Sequence, residues 1–367
     1  MKKVIKVIIL AISTIALCIV LLVAALFGYL YIRNRIDIEN NRKYGGHGFQ
    51  YMHGYSSTDF SGYHVYDGEK LITLDHEPEF IIEKQEDMPV LDGAEACYPL
   101  YCAFAKTIYK DIDVIEKEIA SYDTKQIKWD DEMIDYIYSN GKIVSFTNSQ
   151  EGYYRLVDKK VDLFVGAKPS SSITKYASEM NESIESIPIG KEAFVFFVEE
   201  SNPIDNLSSE DLKKIYSGEI TNWKQLGGNN QKIIAFQRPE DSGSQVVMRS
   251  FMGETKLKDA ETFEMISGMG GTIKKVKQYH NEEGAIGYSF RYFLEELNQE
   301  EGVKMLATDG VYPSIENIRN GSYPIVAQLV VSKLQSNNKE SVQKMIDFML
   351  SEDGQEIITK TGYSPIK

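Results

Sequence analysis

Phe236-Gln237-Arg238-Pro239-Glu240-Asp241-Ser242-Gly243-Ser244-Gln245 gathers the parts of an oxyanion receptor into one short stretch. Arg238 offers a planar fork of N–H donors, and Ser242 and Ser244 add hydroxyls. Gly243 puts no side chain in the way, so successive backbone N–H groups can point at one spot. The following Gln245-Val246-Val247-Met248-Arg249-Ser250-Phe251 reads as a helix, which would turn its positive end towards an anion. The same letters also describe an Asp-Ser-Gly turn, an N-capped helix and an ordinary surface arginine. Taken alone, the stretch does not choose between the two readings.

Outward from this stretch, the chain alternates strand and helix from Met88 onward, the signature of an α/β fold. Pro89-Val90-Leu91 reads as a short strand, and Asp92-Gly93-Ala94 turns into a helix around Tyr101 to Tyr109. Lys142-Ile143-Val144-Ser145-Phe146 reads as the next strand and Gly152 to Asp158 as a helix. Val161-Asp162-Leu163-Phe164-Val165-Gly166 is a third strand, with Lys168-Pro169-Ser170-Ser171-Ser172 at another helix start. The run from Ile187 to Val198 is too long and apolar for a loop and suits a strand passing from one lobe to another. Leu207 to Gly218 is a capped helix closed by a glycine. Gly284-Ala285-Ile286-Gly287-Tyr288-Ser289 reads as the return crossing, and Lys339 to Leu350 as an amphipathic helix. Helix starts near Gly93, Thr147, Gly166 and Ser242 bring small or hydroxyl residues to the carboxyl edges of sheets, where open α/β sheets bind ligands. Two such lobes joined by two crossings form a cleft that closes by hinge motion.

The chain has 367 residues, 43% of them hydrophobic, enough for two core-forming domains and an anchor. Val7 to Ile32 is uncharged and apolar; as a helix it rises roughly 39 Å against a hydrocarbon core of about 30 Å. An uncleaved signal anchor is the expectation, with a cleavable signal peptide ending near Val23-Ala24-Ala25 as the competing reading. Lys2, Lys3 and Lys6 before the run are matched by Arg33, Arg35, Arg42 and Lys43 after it, so charge does not set the orientation. Residues 33–87 are polar and rich in aromatics, either a stalk or an extension packed on the domain. His47, His53, His64 and His76 lack helix or finger spacing, so no metal is expected. Cys97 and Cys102 fall on different faces of one expected helix, which makes a disulfide between them geometrically poor. A formal net charge of -14 argues against nucleic acid and means that any anion is captured by local donors against the long-range field.

With these residues in place, the chain resembles the substrate-binding proteins of phosphate ABC importers, the PstS-like family in its Gram-positive form. The resemblance covers roughly residues 88 to 367. It runs through Asp92-Gly93-Ala94-Glu95-Ala96-Cys97-Tyr98-Pro99-Leu100-Tyr101, Gly190 to Val198, Ile215 to Trp223 and the Arg-Pro-Glu-Asp-Ser-Gly-Ser run. It continues in Gly284 to Tyr288, Leu350 to Gln355 and Lys360-Thr361-Gly362-Tyr363-Ser364-Pro365. It implies a two-lobed periplasmic-binding-protein fold of type II with hinge-linked lobes, preceded by a single transmembrane helix. The expected division is an anchor over 1–32, an extracellular linker over 33–87, lobe 1 over 88–190 and 285–367, and lobe 2 over 191–284. Arg238 with Ser242, Gly243 and Ser244 match the family's arginine and Ser-Gly-Ser/Thr anion motif with its spacing intact. The opposite half-site corresponds to the helix start at Ala94 and Glu95, with Thr147 and Ser149 as further donors. Glu95 and Cys97 stand where a hydroxyl is usual, and Lys168-Pro169 stand where the family often has an aspartate that accepts a proton from hydrogen phosphate. Loss of that acceptor would weaken the exclusion of sulfate.

The function implied is a membrane-anchored protein with its C-terminal domain extracellular. It would capture phosphate or a related small oxyanion and deliver it to ABC permease subunits, with no cofactor and no chemistry. The alternative keeps the fold but makes it a tethered anion sensor. An enzyme is disfavoured because H-E-x-x-H, G-x-S-x-G and P-loop patterns are absent; Gly268-Met269-Gly270-Gly271-Thr272 lacks the P-loop lysine, and His280 is a lone histidine.

Overall fold

Phe194-Val195-Phe196-Phe197-Val198 runs fully buried through the middle of the molecule. The computed structural model describes residues 6, 14–32, 58–122, 133–259, 273, 276, 283–298 and 301–366. The buried run belongs to β3 (Ile184–Glu199), the longest strand among the described residues. Its first part pairs antiparallel with β9 (Val326–Leu334), from Ile184↔Leu334 to Ala193↔Val326. Its second part pairs antiparallel with β6 (Glu283–Phe290), from Phe194↔Phe290 to Val198↔Ile286, and with β7 (Val303–Met305). One continuous strand therefore serves two groups of neighbours.

On the first side, β1 (Leu91–Gly93) lies parallel to β2 (Leu163–Gly166), and β2 pairs antiparallel with β9. On the second side, β5 (Lys232–Ala235) lies parallel to β6. The strand order is β1-β2-β9-β3-β6-β5, with β7 and β10 (Ser364–Pro365) also pairing with β3. Asn206–Leu207 (β4) and Ala307–Thr308 (β8) form a separate parallel pair. This mixed α/β arrangement agrees with the fold class read from the sequence.

Two expected elements differ. Gly284 to Ser289 is not a crossing between the sides: β6 has β5 on one edge and only the second part of β3 on the other. Lys142 to Phe146 forms no strand beyond a single parallel bridge between Val144 and Leu91. The cause is a buried carboxylate. Glu116 accepts the backbone N–H groups of Lys142, Ile143 and Val144 (3.0, 2.6 and 2.9 Å), so these donors are satisfied without a neighbouring strand.

Helix α1 (Thr14–Ile32) has a mean hydropathy of 2.7 and no buried residues, and its length suits a bilayer crossing. The part of the extension that is described, from Thr58 onward, packs on the domain. Phe60 meets Tyr98 and Phe146 edge-on at 5.0 Å, and Ile82 bridges to Tyr109. Residues 33–57, with His47 and His53, lie outside the described residues, as do Trp129, Gly268 to Thr272 and His280. His64 Nδ1 is 2.7 Å from the Tyr98 hydroxyl, and His76 Nε2 is 3.1 Å from Asp353. Cys97 and Cys102 are buried free thiols.

Around the second side, Phe196 packs against Tyr216, Phe251 and Tyr288. Trp223, buried, donates its indole N–H to the Gly284 carbonyl at 2.9 Å. That ring presses so closely on β6 that a Cβ at residue 284 would fall 2.2 Å from Nε1. Gly284→Ala is therefore expected to lower stability by roughly 1–3 kcal/mol through overpacking, read as a lower urea midpoint. An unchanged midpoint would mean that the indole can move aside.

Candidate functional site

The carboxyl ends of β1 and β2 lead directly into Ala94 and Ala167, and both residues line one small cleft with Gly166. Helix α4 (Ser149–Val157) starts beside them; Asn148 caps it by accepting from Glu151 N at 2.9 Å. From the other side of the molecule comes helix α7 (Gly243–Met252), capped by Ser242, whose hydroxyl oxygen accepts from Gln245 N at 3.3 Å. Gly243 and Ser149 both line the cleft, whose cavity volume is about 30 Å³. The approach is close enough to require glycine. A Cβ on residue 243 would sit 2.9 Å from Ser149 Oγ and 3.4 Å from the Ala167 Cβ. Two helix N-termini thus face each other across the cleft, and each favours negative charge in front of it.

The loop carrying Arg238 is held from behind. Its backbone N–H donates to the Tyr288 hydroxyl at 2.9 Å and to Gln245 Oε1 at 3.3 Å, while the Tyr288 hydroxyl donates to the same Gln245 oxygen. Arg238 is 7% exposed, so its guanidinium does not face bulk solvent. Ser244 is buried, and its hydroxyl has no hydrogen-bond partner among the described residues. The acidic residues between them do not line the void and are engaged by other groups. Glu240 forms a bidentate pair with Arg249 on the exposed side, and Asp241 reaches across to Ser170, Ser172 and Gln150.

Of the residues expected from the sequence, Ala94, Ser149 and Gly243 lie on the cleft wall; Ser242, Ser244 and Arg238 lie in the segment entering α7 without lining the void itself. Glu95 is not on the wall. It is half-buried and accepts a hydrogen bond from the Thr58 hydroxyl, so it does not oppose an anion from inside the cleft. Thr147 is also displaced from the expected role. Its hydroxyl donates to both oxygens of Asp92 (3.0 and 2.9 Å) and its N–H donates to Asp92 Oδ1 at 3.0 Å. Asp92 takes these donors because it is fully buried, with Gly93 N–H at 2.8 Å and Arg155 Nε at 3.1 Å as its other partners. Burial pushes its carboxyl above the usual range, against the pull of Arg155.

Among the polar wall residues, Glu192, Gln328 and Tyr363 have no site role assigned from the sequence. Cys97 also lines the cleft, and burial pushes its thiol up to about 12, so it stays a neutral, weak donor where a hydroxyl was expected. Glu192 accepts from Ala193 N at 2.7 Å and Tyr292 N at 3.3 Å, with Arg291 Nε at 3.7 Å. Burial still outweighs these partners and pushes its carboxyl up to about 7. Lys168 is exposed, beyond the cleft-lining Ala167.

Residues 128–353 match the PBP superfamily domain, and the chain belongs to that family. The phosphate-binding protein PstS of Borreliella burgdorferi is 28% identical over 204 residues, which cover 54% of this chain and 71% of that protein. The phosphate-binding protein PstS of Bacillus subtilis is 35% identical over 167 residues, 44% of this chain and 51% of that protein, so the aligned part spans about half its length. Among solved structures, an ABC-type phosphate transport receptor from Vibrio cholerae has a TM-score of 0.51 at 22% identity, covering 75% of this chain and 99% of that one. A protein from Clostridium perfringens solved with bound phosphate has a TM-score of 0.50 at 23% identity, covering 76% and 99%. The likeness to the solved structures is one of fold. The resemblance read from the sequence agrees with these relatives.

Glu192 generates a pH prediction. Its folded-state pKa of about 7 lies above the ordinary 4.5, so the proton stabilises the fold fully below about pH 4.5, and that contribution is lost as pH rises to about 7. Glu192→Gln should flatten this decline, seen as a smaller fall in unfolding free energy over that interval than in the parent. Parallel profiles for the two proteins would mean that Glu192 is ionised throughout.

Proposed function

We propose that this chain is a membrane-tethered solute-binding protein that captures phosphate, or a related small oxyanion, between two lobes and presents it to the permease of an ABC importer. The observation that carries the reading is the meeting of the α4 and α7 N-termini at Ser149 and Gly243, beside the ends of β1 and β2. Strand pairing suggests lobes of 88–193 with the chain from about 324 onward, against 194 to about 323. This differs from the 284/285 boundary expected from sequence, because β6, β7 and β8 all pair on the second side. The names of the relatives, phosphate-binding proteins in each case, favour phosphate.

A micromolar site needs about 8 kcal/mol. Charge-assisted hydrogen bonds contribute about 1.5–3 kcal/mol each and a partly buried helix terminus up to about 2. One lobe alone falls short after ordering costs. The ligand donors assigned here are Arg238, Ser242, Gly243 and Ser244 from the second lobe, with Ala94 and Ser149 supplying backbone and hydroxyl groups from the first. Ser244 brings a buried hydroxyl with no hydrogen-bond partner among the described residues. Binding followed by lobe closure is the whole mechanism, and no bond is made or broken. The apolar α1 helix would hold the domain at the outer face of the membrane. It also suits a tethered sensor, and co-purification of permease subunits with the full chain would separate the importer from that second reading.

Arg238→Ala should weaken binding of inorganic phosphate to the detergent-solubilised full chain by about ten-fold or more, consistent with loss of a charge-assisted donor set, while leaving the unfolding midpoint near that of the parent. Calorimetry is the measurement. Unchanged affinity would remove Arg238 from the site.

A further inference from the structure

We propose that Asp241 is a latch that holds the cleft closed, acting as a positioning residue for ligand capture rather than as a ligand contact. The inference rests on the two-lobe reading above. Asp241 lies on the loop between β5 and α7, yet all its side-chain hydrogen-bond partners given by the structure belong to the opposite side. Oδ1 accepts from the Ser170 hydroxyl at 2.7 Å and from the Ser172 hydroxyl, and Oδ2 accepts from Gln150 Nε2 at 3.2 Å. Ser170 and Ser172 are also within 2.8 Å of each other, so the carboxylate closes a small ring of hydroxyls.

The partners sit on two helices whose ends favour a carboxylate. Ser170 caps helix α5 (Ser171–Glu179), accepting from Ile173 N at 3.2 Å, and Gln150 lies in the first turn of α4. A negative charge before these N-termini is electrostatically favoured. The loop's two acidic residues differ sharply in this respect. Glu240 is spent on Arg249 within its own side of the molecule, whereas Asp241 spans the gap. Asp241 is not among the residues lining the void, and its three side-chain hydrogen bonds engage it with Ser170, Ser172 and Gln150.

The consequence is a closed state favoured before any ligand arrives. A ligand that binds only the closed form gains apparent affinity in proportion to the closed fraction. Opening for release requires the Asp241 bonds to be exchanged for water, which the half-exposed rim position permits.

The test uses the full chain in detergent, with spin labels at Lys175→Cys and Lys224→Cys, both exposed and on opposite sides, in a Cys18→Ser background. Interlabel distances are measured by electron–electron double resonance without ligand and with saturating inorganic phosphate. Asp241→Ala should move a substantial part of the ligand-free distribution to longer distances. Gln150→Ala combined with Ser172→Ala, which leaves the Ser170 cap intact, should do the same. Phosphate affinity should fall about five-fold in both variants. If both variants keep the parent's ligand-free distribution, the latch is wrong, whatever phosphate does. If both shift to longer distances while phosphate binds neither parent nor variant, the latch stands and the phosphate reading fails.

Discussion

A single strand shared by two groups of neighbours is the constraint on which this architecture depends. β3 changes partners from β9 to β6 between Ala193 and Phe194, and its register with β9 shifts at Pro188/Gly190. Near that junction hydrogen bonds converge from three directions. Glu192 takes the N–H groups of Ala193 and Tyr292, and Arg291 Nη2 donates to the Gly362 carbonyl. Tyr363 donates its hydroxyl to the Ala96 carbonyl at 2.6 Å, and Ser364 pairs with Lys191. The Lys-Thr-Gly-Tyr-Ser-Pro tail is thereby tied to the strand that links the sides and to the first helix start at the cleft. Each of these bonds is made by a buried group that would be costly to leave without it, so together they favour one geometry of the junction, although Arg291 Nε and the Ser364 hydroxyl have no hydrogen-bond partner among the described residues.

From that junction the chemistry of the cleft follows. Strand ends and helix starts deliver small residues, Ala94, Gly166, Ala167 and Gly243, so backbone can approach backbone across the gap. The chain carries a net charge of -14, yet the acidic side chains nearest the proposed site are turned aside. Glu95 is engaged by Thr58, Glu240 by Arg249 and Asp241 by Ser170 and Ser172. Asp92 is fully buried with Arg155 and Thr147 as partners. Local donors then act in a space from which most like charge has been diverted; Glu192 is the carboxyl that remains on the wall.

Much of this was legible from the sequence where local rules agree with tertiary structure. The capped helix at Ser209–Ser217, with Ser208 accepting from Asp211 N and Gly218 in the left-handed region, follows directly from its residues. So does the long apolar strand, because Ala193 to Val198 is a short run rich in β-branched and aromatic residues without polar alternation, which suits a strand buried along both faces. At two places a partner distant in sequence takes groups that local rules assign elsewhere. Lys142 to Phe146 has strand composition, but Glu116 takes its donors. Thr147 is a hydroxyl at a helix start, but buried Asp92 takes it. No spacing rule could place Gln328 or Tyr363 on the cleft wall, since β9 and β10 bring them there from far along the chain.

The proposed function requires an oxyanion to be held between the starts of α4 and α7. Its most direct test is a crystal structure of the protein with bound arsenate, a heavier tetrahedral analogue of phosphate, located by the anomalous signal of arsenic. One dominant peak is expected within hydrogen-bond reach of Ser149 and Gly243, with the Arg238 guanidinium turned to it. A peak outside that cleft, or a cleft in which Arg238 stays remote from the bound anion, would contradict it.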